Sequence, residues 1–294
     1  MTFLSGFIAI VGPPNVGKST LLNKILGAKT AIVTPKPQTT RNRILGVLHG
    51  DGYQMVFLDT PGIHKPHTSL HRSMVASALA ALKEVDVVLV MIEMGRPHDQ
   101  EISLVLGNLK SAAKPSLLLI NKIDLGPRQN LLPIMDTYRK LHPFETMIPI
   151  SALRGDGVEV LLKELKARLR PGPAFFPPDM GTDQSEAFHV SEIIREKIYY
   201  HTRDELPYST AVTVEGMNER PEKNLLVVSA VIHVETFSQK RILIGEGGAM
   251  IKAIGRSARV DLERVLGGRI YLELTVRVEK NWSRDPRALR RLGY

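Results

Sequence analysis

Gly12-Pro13-Pro14-Asn15-Val16-Gly17-Lys18-Ser19 decides how the first half of the chain folds. It follows Phe7-Ile8-Ala9-Ile10-Val11, an apolar run that reads as a buried strand. It precedes Thr20-Leu21-Leu22-Asn23-Lys24-Ile25-Leu26, whose apolar residues recur at helical spacing. Strand, glycine-rich loop and helix, in that order, form the setting a phosphate-binding loop requires. Glycines let the backbone curl so that several N–H groups point at one anion, and the helix adds its positive N-terminal end. Gly12, Asn15, Val16, Gly17 and Thr20 are then nucleotide-binding positions. Lys18 reaches the outer phosphates as a point charge, and the Ser19 hydroxyl ligates Mg²⁺.

Working outward, 294 residues are enough for two domains, and no apolar run approaches the ~18 residues of a membrane span. The chain has no cysteine, which excludes disulfides, thiolate metal sites and a cysteine nucleophile. The N-terminus runs straight into a strand without a basic leader, which points to the cytoplasm. The net charge of +9 favours anionic partners, and it is unevenly spread. Residues 240–294 hold 13 Lys/Arg against 6 Asp/Glu, whereas residues 181–239 hold 5 against 10. The basic end is a candidate face for a polyanion, either a nucleic acid or an anionic membrane surface.

Residues 31–45 read as a loop, because Pro35 and Pro37 rule out a helix or a central strand there. Either Thr39 or Thr40 could offer a hydroxyl to the metal. Gln54-Met55-Val56-Phe57-Leu58 is an apolar strand ending in Asp59-Thr60-Pro61-Gly62. An aspartate at that place can order the metal's water ligands, and the Gly62 N–H can contact a γ-phosphate. His64, His67 and His71 follow; the four-residue spacing of the last two would suit a metal on a helix, but no carboxylate accompanies them, and a solvated loop is the better reading.

Residues 86–92 and 116–120 are continuous apolar runs with helical patterns between them, the mark of a parallel sheet buried on both faces. The second run ends in Asn121-Lys122-Ile123-Asp124. A carboxylate there can accept two hydrogen bonds from guanine, whereas adenine would leave it unsatisfied. Lys122 would pack its stem along the base. Ser151-Ala152-Leu153, after another apolar run, would supply a backbone N–H to the guanine carbonyl, and a helix over residues 158–169 closes the domain.

Residues 171–178 are proline-rich and read as a stiff linker. Beyond it a helix over 192–202, strands over 210–214 and 225–234, an apolar turn, a helix to about 266 and a strand over 270–278 give the order α-β-β-α-β. The second helix starts at Gly245-Glu246-Gly247-Gly248, with Lys252 one turn in. A Gly-x-x-Gly turn at a helix start lets an RNA backbone approach closely, as in the KH module, whose loop clamps about four nucleotides. Arg287, Arg290 and Arg291 form a basic tail at helical spacing, either touching RNA phosphates or forming a solvated or acid-paired helix.

The five nucleotide motifs in order resemble a translation-factor-class GTPase domain; Lys36-Pro37-Gln38-Thr39-Thr40-Arg41 together with residues 12–20 resembles the Era family of bacterial GTPases, a resemblance that covers nearly the whole chain, and the Gly-x-x-Gly stretch resembles its KH domain. The resemblance implies an α/β P-loop GTPase domain with a mostly parallel sheet over 1–170, a linker over 171–184 and a smaller α+β type II KH domain over 185–294. It implies GTP hydrolysis with Mg²⁺ held by Ser19, Thr40 and Asp59, and with Lys18, Thr40 and Gly62 at the reacting phosphate. Asn15 matches an asparagine that helps bind K⁺ in related GTPases. Ile63 stands where Ras-type GTPases carry a water-orienting glutamine, so slow intrinsic turnover is expected. Pro13 departs from the arginine often found there, with no implied loss. The implied partner is the 3′ end of small-subunit ribosomal RNA during assembly of that subunit, with the KH turn and Lys252 as RNA-binding residues. Docking to another protein, or to the inner face of the cell membrane, is the alternative, and a monomer is the default expectation.

Overall fold

Leu4–Val11 (β1), Tyr53–Asp59 (β3), Val87–Glu93 (β4), Ser116–Asn121 (β5) and Thr146–Pro149 (β6) are the apolar runs of the first half, and they pair in parallel in the order β3-β1-β4-β5-β6. The computed structural model describes residues 2–97 and 100–294. Every residue of β5 is buried, as is every residue of β4 but Glu93, because helices cover both faces of the sheet. Those helices are Lys18–Leu26 (α1), Ser69–Glu84 (α2), Ile102–Ala112 (α3), Leu131–Leu141 (α4) and Val158–Lys166 (α5). The main core cluster joins strand residues such as Val56, Val90 and Leu118 to Ala78, Leu82, Val105 and Ile134 from the helices.

Sequence reading and structure part company in three places here. Ile44–Gly50 is a strand (β2) rather than the end of a loop, paired antiparallel with β3 from Ile44↔Asp59 to Gly50↔Tyr53. The prolines that break the backbone stop at Pro37, and Ile44-Leu45-Gly46-Val47-Leu48 is free to take a ladder. The closing helix ends at Lys166, three residues early, because Arg170–Pro171 (β7) turns back to pair with β1. The proline-rich segment is extended but not free. Gln54 Oε1 accepts from Phe175 and Phe176 N–H, Val47 N–H donates to Gly181 O, and Thr182 Oγ1 donates to Leu45 O.

The chain divides into two compact units. The first comprises Met1–Ala31, Thr40–His67 and His71–Asp183; the second comprises Gln184–Tyr294 together with Ile32–Thr39 and Thr68–Leu70. In the second, Glu186–His201 (α6) begins six residues before the sequence suggested, because Ser185 caps it by accepting from Phe188 N–H. Ala211–Arg220 (β8), Leu225–Val234 (β9) and Arg269–Val278 (β10) form a sheet in the order β10-β9-β8, antiparallel between β8 and β9 and parallel between β9 and β10. The apolar turn before the glycines is the end of a helix, Phe237–Ile244 (α7). Its start is fixed by a capping box between Thr236 and Gln239, a Thr-x-x-Gln signal present in the sequence. The order is therefore α-β-β-α-α-β, completed by Ala249–Leu266 (α8). Ile193, Ile198, Val228, Ile232, Ile254 and Leu262 build its core. Trp282, fully buried with its indole N–H donated to Ser209 O, pins the C-terminal segment ahead of Pro286–Arg291 (α9).

Candidate nucleotide site and nucleic-acid interface

The loops after β1, β3, β5 and β6 all leave the same, C-terminal edge of the parallel sheet, which gathers the motif residues at one end. The first loop depends on its glycines. Gly12 has φ 154°, and a Cβ there would lie 2.3 Å from Met91 O; Gly17 has φ 103°, and a Cβ there would lie 2.4 Å from Asn121 Nδ2. Gly62 packs so closely that a Cβ would meet Pro14 at 2.8 Å, and Ile63 N–H donates to Gly12 O at 3.2 Å. The Asp59-to-Gly62 turn is thus built against the phosphate loop rather than merely near it.

Lys18 opens α1 and is 5% exposed, with Nζ donating to Pro13 O at 2.8 Å and Gly12 O at 3.2 Å. Burial pulls its pKa down to about 8, against the opposing pull of Asp59 and Glu101. Ser19 Oγ lies 2.5 Å from Asp59 Oδ2 and 2.8 Å from Thr40 Oγ1. Asp59 is fully buried, and burial raises its pKa to about 6 although Lys18, Ser19, Thr40 and the Thr60 N–H all favour the charged form. Its Oδ1 has no hydrogen-bond partner. A buried carboxylate oxygen without a partner, beside two converging hydroxyls, is an oxygen-only donor set of the kind Mg²⁺ takes, and the three residues fit that ion. Of the two threonines the sequence left open, Thr40 is the one at this cluster; Thr39 Oγ1 is bonded instead to Thr34 Oγ1 and Lys36 O.

Asn121 acts as a brace: Nδ2 donates to Val16 O at 2.7 Å and Oδ1 accepts from Ala152 N–H at 2.9 Å, tying the phosphate loop to the Ser151-Ala152 turn. Asp124 keeps its carboxylate largely shielded, 3.8 Å from Arg154 Nε. Lys122, at φ 64°, places Nζ 2.7 Å from Glu93 Oε2, a partner that sequence reading missed although Glu93 ends β4 in register with Asn121. Thr20, Lys24, Lys29, Ala152 and Leu153 line a cleft of about 460 Å³ beside α1.

The histidines correct a sequence expectation. The stretch after Gly62 is not uniformly solvated: Ile63 and His64 are buried, at 1% and 3%, and the His64 ring packs edge-on against His71 at 4.9 Å. His67 lies before α2 rather than on it. Among the described residues no group of three or more His, Cys, Asp or Glu side chains is placed to hold a metal ion.

In the second unit Gly245 (φ 71°), Gly247 (φ 55°) and Gly248 (φ 80°) take conformations that favour glycine and lead into α8. Beside this turn lies a cleft of about 390 Å³ with Ile251, Gly255 and Leu274 as its apolar lining and Lys252, Arg256 and Arg259 as its cations. Arg256 and Arg259 were not singled out from sequence, although their i+4 and i+7 spacing from Lys252 puts them on one helix face. Tyr271, 55% exposed on β10, rims the same cleft. In the tail, Arg291 pairs with Glu279, the acid-paired alternative.

Comparison with known proteins agrees with this geometry. A family model described as a 50S ribosome-binding GTPase matches residues 7–122, and one described as a KH domain matches residues 205–283. GTPase Era of Syntrophus aciditrophicus is 53% identical over 292 residues, covering 99% of this chain and 95% of that protein. GTPase Era of Geotalea daltonii is 50% identical over 293 residues, covering 99% and 98%. A crystal structure of an Aquifex aeolicus Era variant bound to GDP·AlF4⁻ superposes with a TM-score of 0.95 at 42% identity, over 100% of this chain and 99% of that one. A crystal structure of Era with MgGDPNP and nucleotides 1506–1542 of 16S ribosomal RNA gives 0.96 at 42% identity, over 99% of each. Among the described residues no helix is long and apolar enough to cross a membrane. With a P-loop domain and a KH domain joined in one chain, and near-full-length identity to its members, the chain belongs to the Era family of GTPases.

Proposed function

We propose that the chain is a GTP-hydrolysing switch that binds the single-stranded 3′ end of small-subunit ribosomal RNA during assembly of that subunit. Residues 1–170 act as the nucleotide domain, 171–184 as the connector and 185–294 as the RNA domain of a monomer working in the cytoplasm. The observation that carries the RNA reading is the Gly245–Gly248 turn beside a cleft that is apolar inside and rimmed by Lys252, Arg256 and Arg259. Unpaired bases enter such a cleft while the backbone passes the glycines, and an aromatic rim at Tyr271 suits a stacked base.

At the nucleotide end, Gly12 to Thr20 wrap the phosphates with backbone N–H groups and Lys18 supplies a fixed cation. Ser19, Thr40 and Asp59 hold Mg²⁺, which when bound neutralises charge building on the outer phosphates. Asp124 accepts from the guanine edge, Asn121 keeps the loops around the base in register, and Lys122 flanks it. Ser151, Ala152 and Leu153 close over the base. The Gly62 N–H orients the terminal phosphate. The buried Ile63 cannot orient water, so the basal rate is low. Asn15, exposed on the loop at φ 62°, offers an amide oxygen suited to K⁺, and faster turnover in K⁺ than in Na⁺ is expected.

The test is crosslinking of the GTP-analogue-loaded protein in cells, followed by sequencing of the attached RNA. A peak at the 3′ end of small-subunit ribosomal RNA is expected. Scattered reads would overturn the RNA target and leave protein docking, or a peripheral contact at the inner face of the membrane, as the use of the basic surface.

A further inference from the structure

Glu93 is the last residue of β4 and stands in register with Asn121 at the end of β5. The pairing continues one step past the strand, where Met94 N–H donates to Asn121 O at 2.9 Å. Gly126, just after Asp124, packs so closely on this corner that a Cβ there would lie 2.8 Å from Met94 Cε. The end of β4 is therefore the platform on which the Asn121–Asp124 loop is built. It also borders the phosphate loop, because Glu93 lines a narrow cavity of about 20 Å³ with Pro13, Pro14, Asn15 and Val16. All of these residues belong to the first compact unit.

Lys122 is held at both ends. Its backbone sits at φ 64°, in the left-handed region that lysine seldom adopts. Two bonds keep it there: Leu125 N–H donates to Lys122 O at 3.0 Å, and Ile123 N–H donates to Ile150 O at 3.3 Å. At the far end Lys122 Nζ donates to Glu93 Oε2 at 2.7 Å. The methylene stem between these two anchors has little freedom left. A lysine without such a partner keeps most of its rotamers, and a base binding beside it would have to order them. The ion pair is partly wet, with the Lys122 side chain 28% and the Glu93 side chain 20% exposed, so it adds little to stability. On charge alone, a carboxylate bordering the phosphate loop works against anion binding, and its hold on Lys122 offsets that.

We propose that Glu93 is a positioning residue for guanine-nucleotide binding: it holds the Lys122 side chain in place as a preformed wall for one face of the base. The inference rests on the reading of Lys122 as the residue that flanks the base, and the experiment separates the two. In this role Glu93 acts through Lys122, and not on the base edge or on the phosphates. Its loss shortens the stay of the nucleotide whatever the number of phosphates, and leaves hydrolysis of GTP already bound unchanged.

The test uses full-length Glu93→Gln, Lys122→Met and Glu93→Gln/Lys122→Met proteins. Affinities and dissociation rates are measured for GDP, GDPNP and inosine diphosphate, with the single-turnover hydrolysis rate and the melting point of the nucleotide-free protein alongside. Inosine diphosphate lacks the exocyclic amine that Asp124 reads, but presents the same flat face to Lys122. Lys122→Met should lower GDP affinity about tenfold, and Glu93→Gln about fivefold, mainly through faster dissociation. The Glu93→Gln loss should be equal for all three nucleotides, with the hydrolysis rate of bound GTP within about twofold of the parent and the melting point unmoved. The double variant should bind no worse than Lys122→Met alone, because the two residues act as a unit. If Lys122→Met weakens binding while Glu93→Gln does not, Lys122 keeps its role and the inference about Glu93 falls. If Lys122→Met binds as the parent does, the reading of Lys122 fails first and takes the inference with it. Losses that add in the double variant would overturn it, since Glu93 would then act apart from Lys122. Tighter binding by Glu93→Gln, greater for GDPNP than for GDP, would make Glu93 only a charge felt by the phosphates. A lowered melting point, or a larger loss for GDP than for inosine diphosphate, would make it only a prop for the Asp124 loop.

Discussion

The phosphate loop and the Gly245–Gly248 turn use glycine at a helix start for opposite reasons. In the loop, the space a side chain would need is filled by the protein itself. The Cβ positions of Gly12 and Gly17 fall 2.3 Å from Met91 O and 2.4 Å from Asn121 Nδ2. In the turn, a Cβ on Gly247 meets nothing within 4 Å, and one on Gly248 meets only the flexible end of Lys252 at 3.7 Å. Only Gly245 there is hemmed in, with Met250 2.8 Å away. The first site is a mould whose walls are braced by Asn121; the second is an open surface whose glycines serve a left-handed backbone and the approach of something from outside. A small anion of fixed geometry suits the mould, and a long, variable polyanion suits the surface.

Gly17→Ala should give the largest effect. It combines φ 103° with a collision against the amide that holds Val16 and Ala152. Nucleotide affinity should fall more than about 100-fold and stability by about 3 kcal/mol, read by fluorescent-GDP titration and chemical unfolding. Normal affinity in this variant would break the comparison at its root. Asp124→Asn should come next, exchanging an acceptor for a donor where guanine presents two donors. GTP affinity should drop about 100-fold or more, with a relative gain for xanthosine triphosphate, whose C2 carbonyl can accept. Equal loss for both nucleotides would mean that Asp124 holds the loop rather than reading the base.

Gly248→Asp tests the open side. The left-handed conformation at φ 80° costs an L-residue about 1–2 kcal/mol at most, with aspartate among the better tolerated, and no steric contact adds to it. The protein should fold, with a melting point only a few degrees lower, while affinity for a short single-stranded RNA falls about tenfold from the added negative charge at the backbone approach. Unfolding of this variant, or unchanged RNA affinity, would each erase the contrast with Gly17.

Much of the first unit was legible because its signals are local. A continuous apolar run, a turn motif and a helix follow each other within about twenty residues, and the sheet brings the motif ends together without further instruction. Long-range bonds were not legible in this way. That Asn121 braces two loops and that Lys122 pairs with Glu93 depend on which side chains meet once the strands are in register, whereas Thr40, which the residues alone left level with Thr39, was singled out by the family resemblance and does face Ser19. β2 escaped notice because two prolines nearby dominated the reading of its flank. α7 was taken for a turn although Thr236 and Gln239 spell a capping box.

The smallest effect concerns proton uptake, and it arises in both units. His233 is buried on β9, with Nε2 2.8 Å from Thr213 Oγ1 and Nδ1 3.1 Å from Glu279 Oε2. Glu279 would ordinarily hold a histidine charged, but it is already paired with Arg291. Burial, aided by Arg277 and Arg291 and opposed by Glu215, brings the His233 pKa down to about 4. His71 in the first unit reaches about 4 as well, through burial and the neighbouring His64, His67 and Arg41. The unfolded chain binds a proton at each near pH 6.5, whereas the folded chain does so only near 4. Above about pH 6.5 neither residue affects stability; between about 6.5 and 4 the unfolded state takes up protons that the folded state refuses, so stability falls as pH falls, and below about 4 the loss levels off. His233→Asn keeps a hydrogen-bonding side chain that does not titrate. It should flatten the acid limb of the RNA-domain transition, by less than about 1.4 kcal/mol per pH unit, and leave the His71 contribution in place. Unfolding followed by urea at pH 7.5, 6.0 and 5.0 reads this directly. A variant as acid-sensitive as the parent would mean that Glu279, not Arg291, decides the charge of His233.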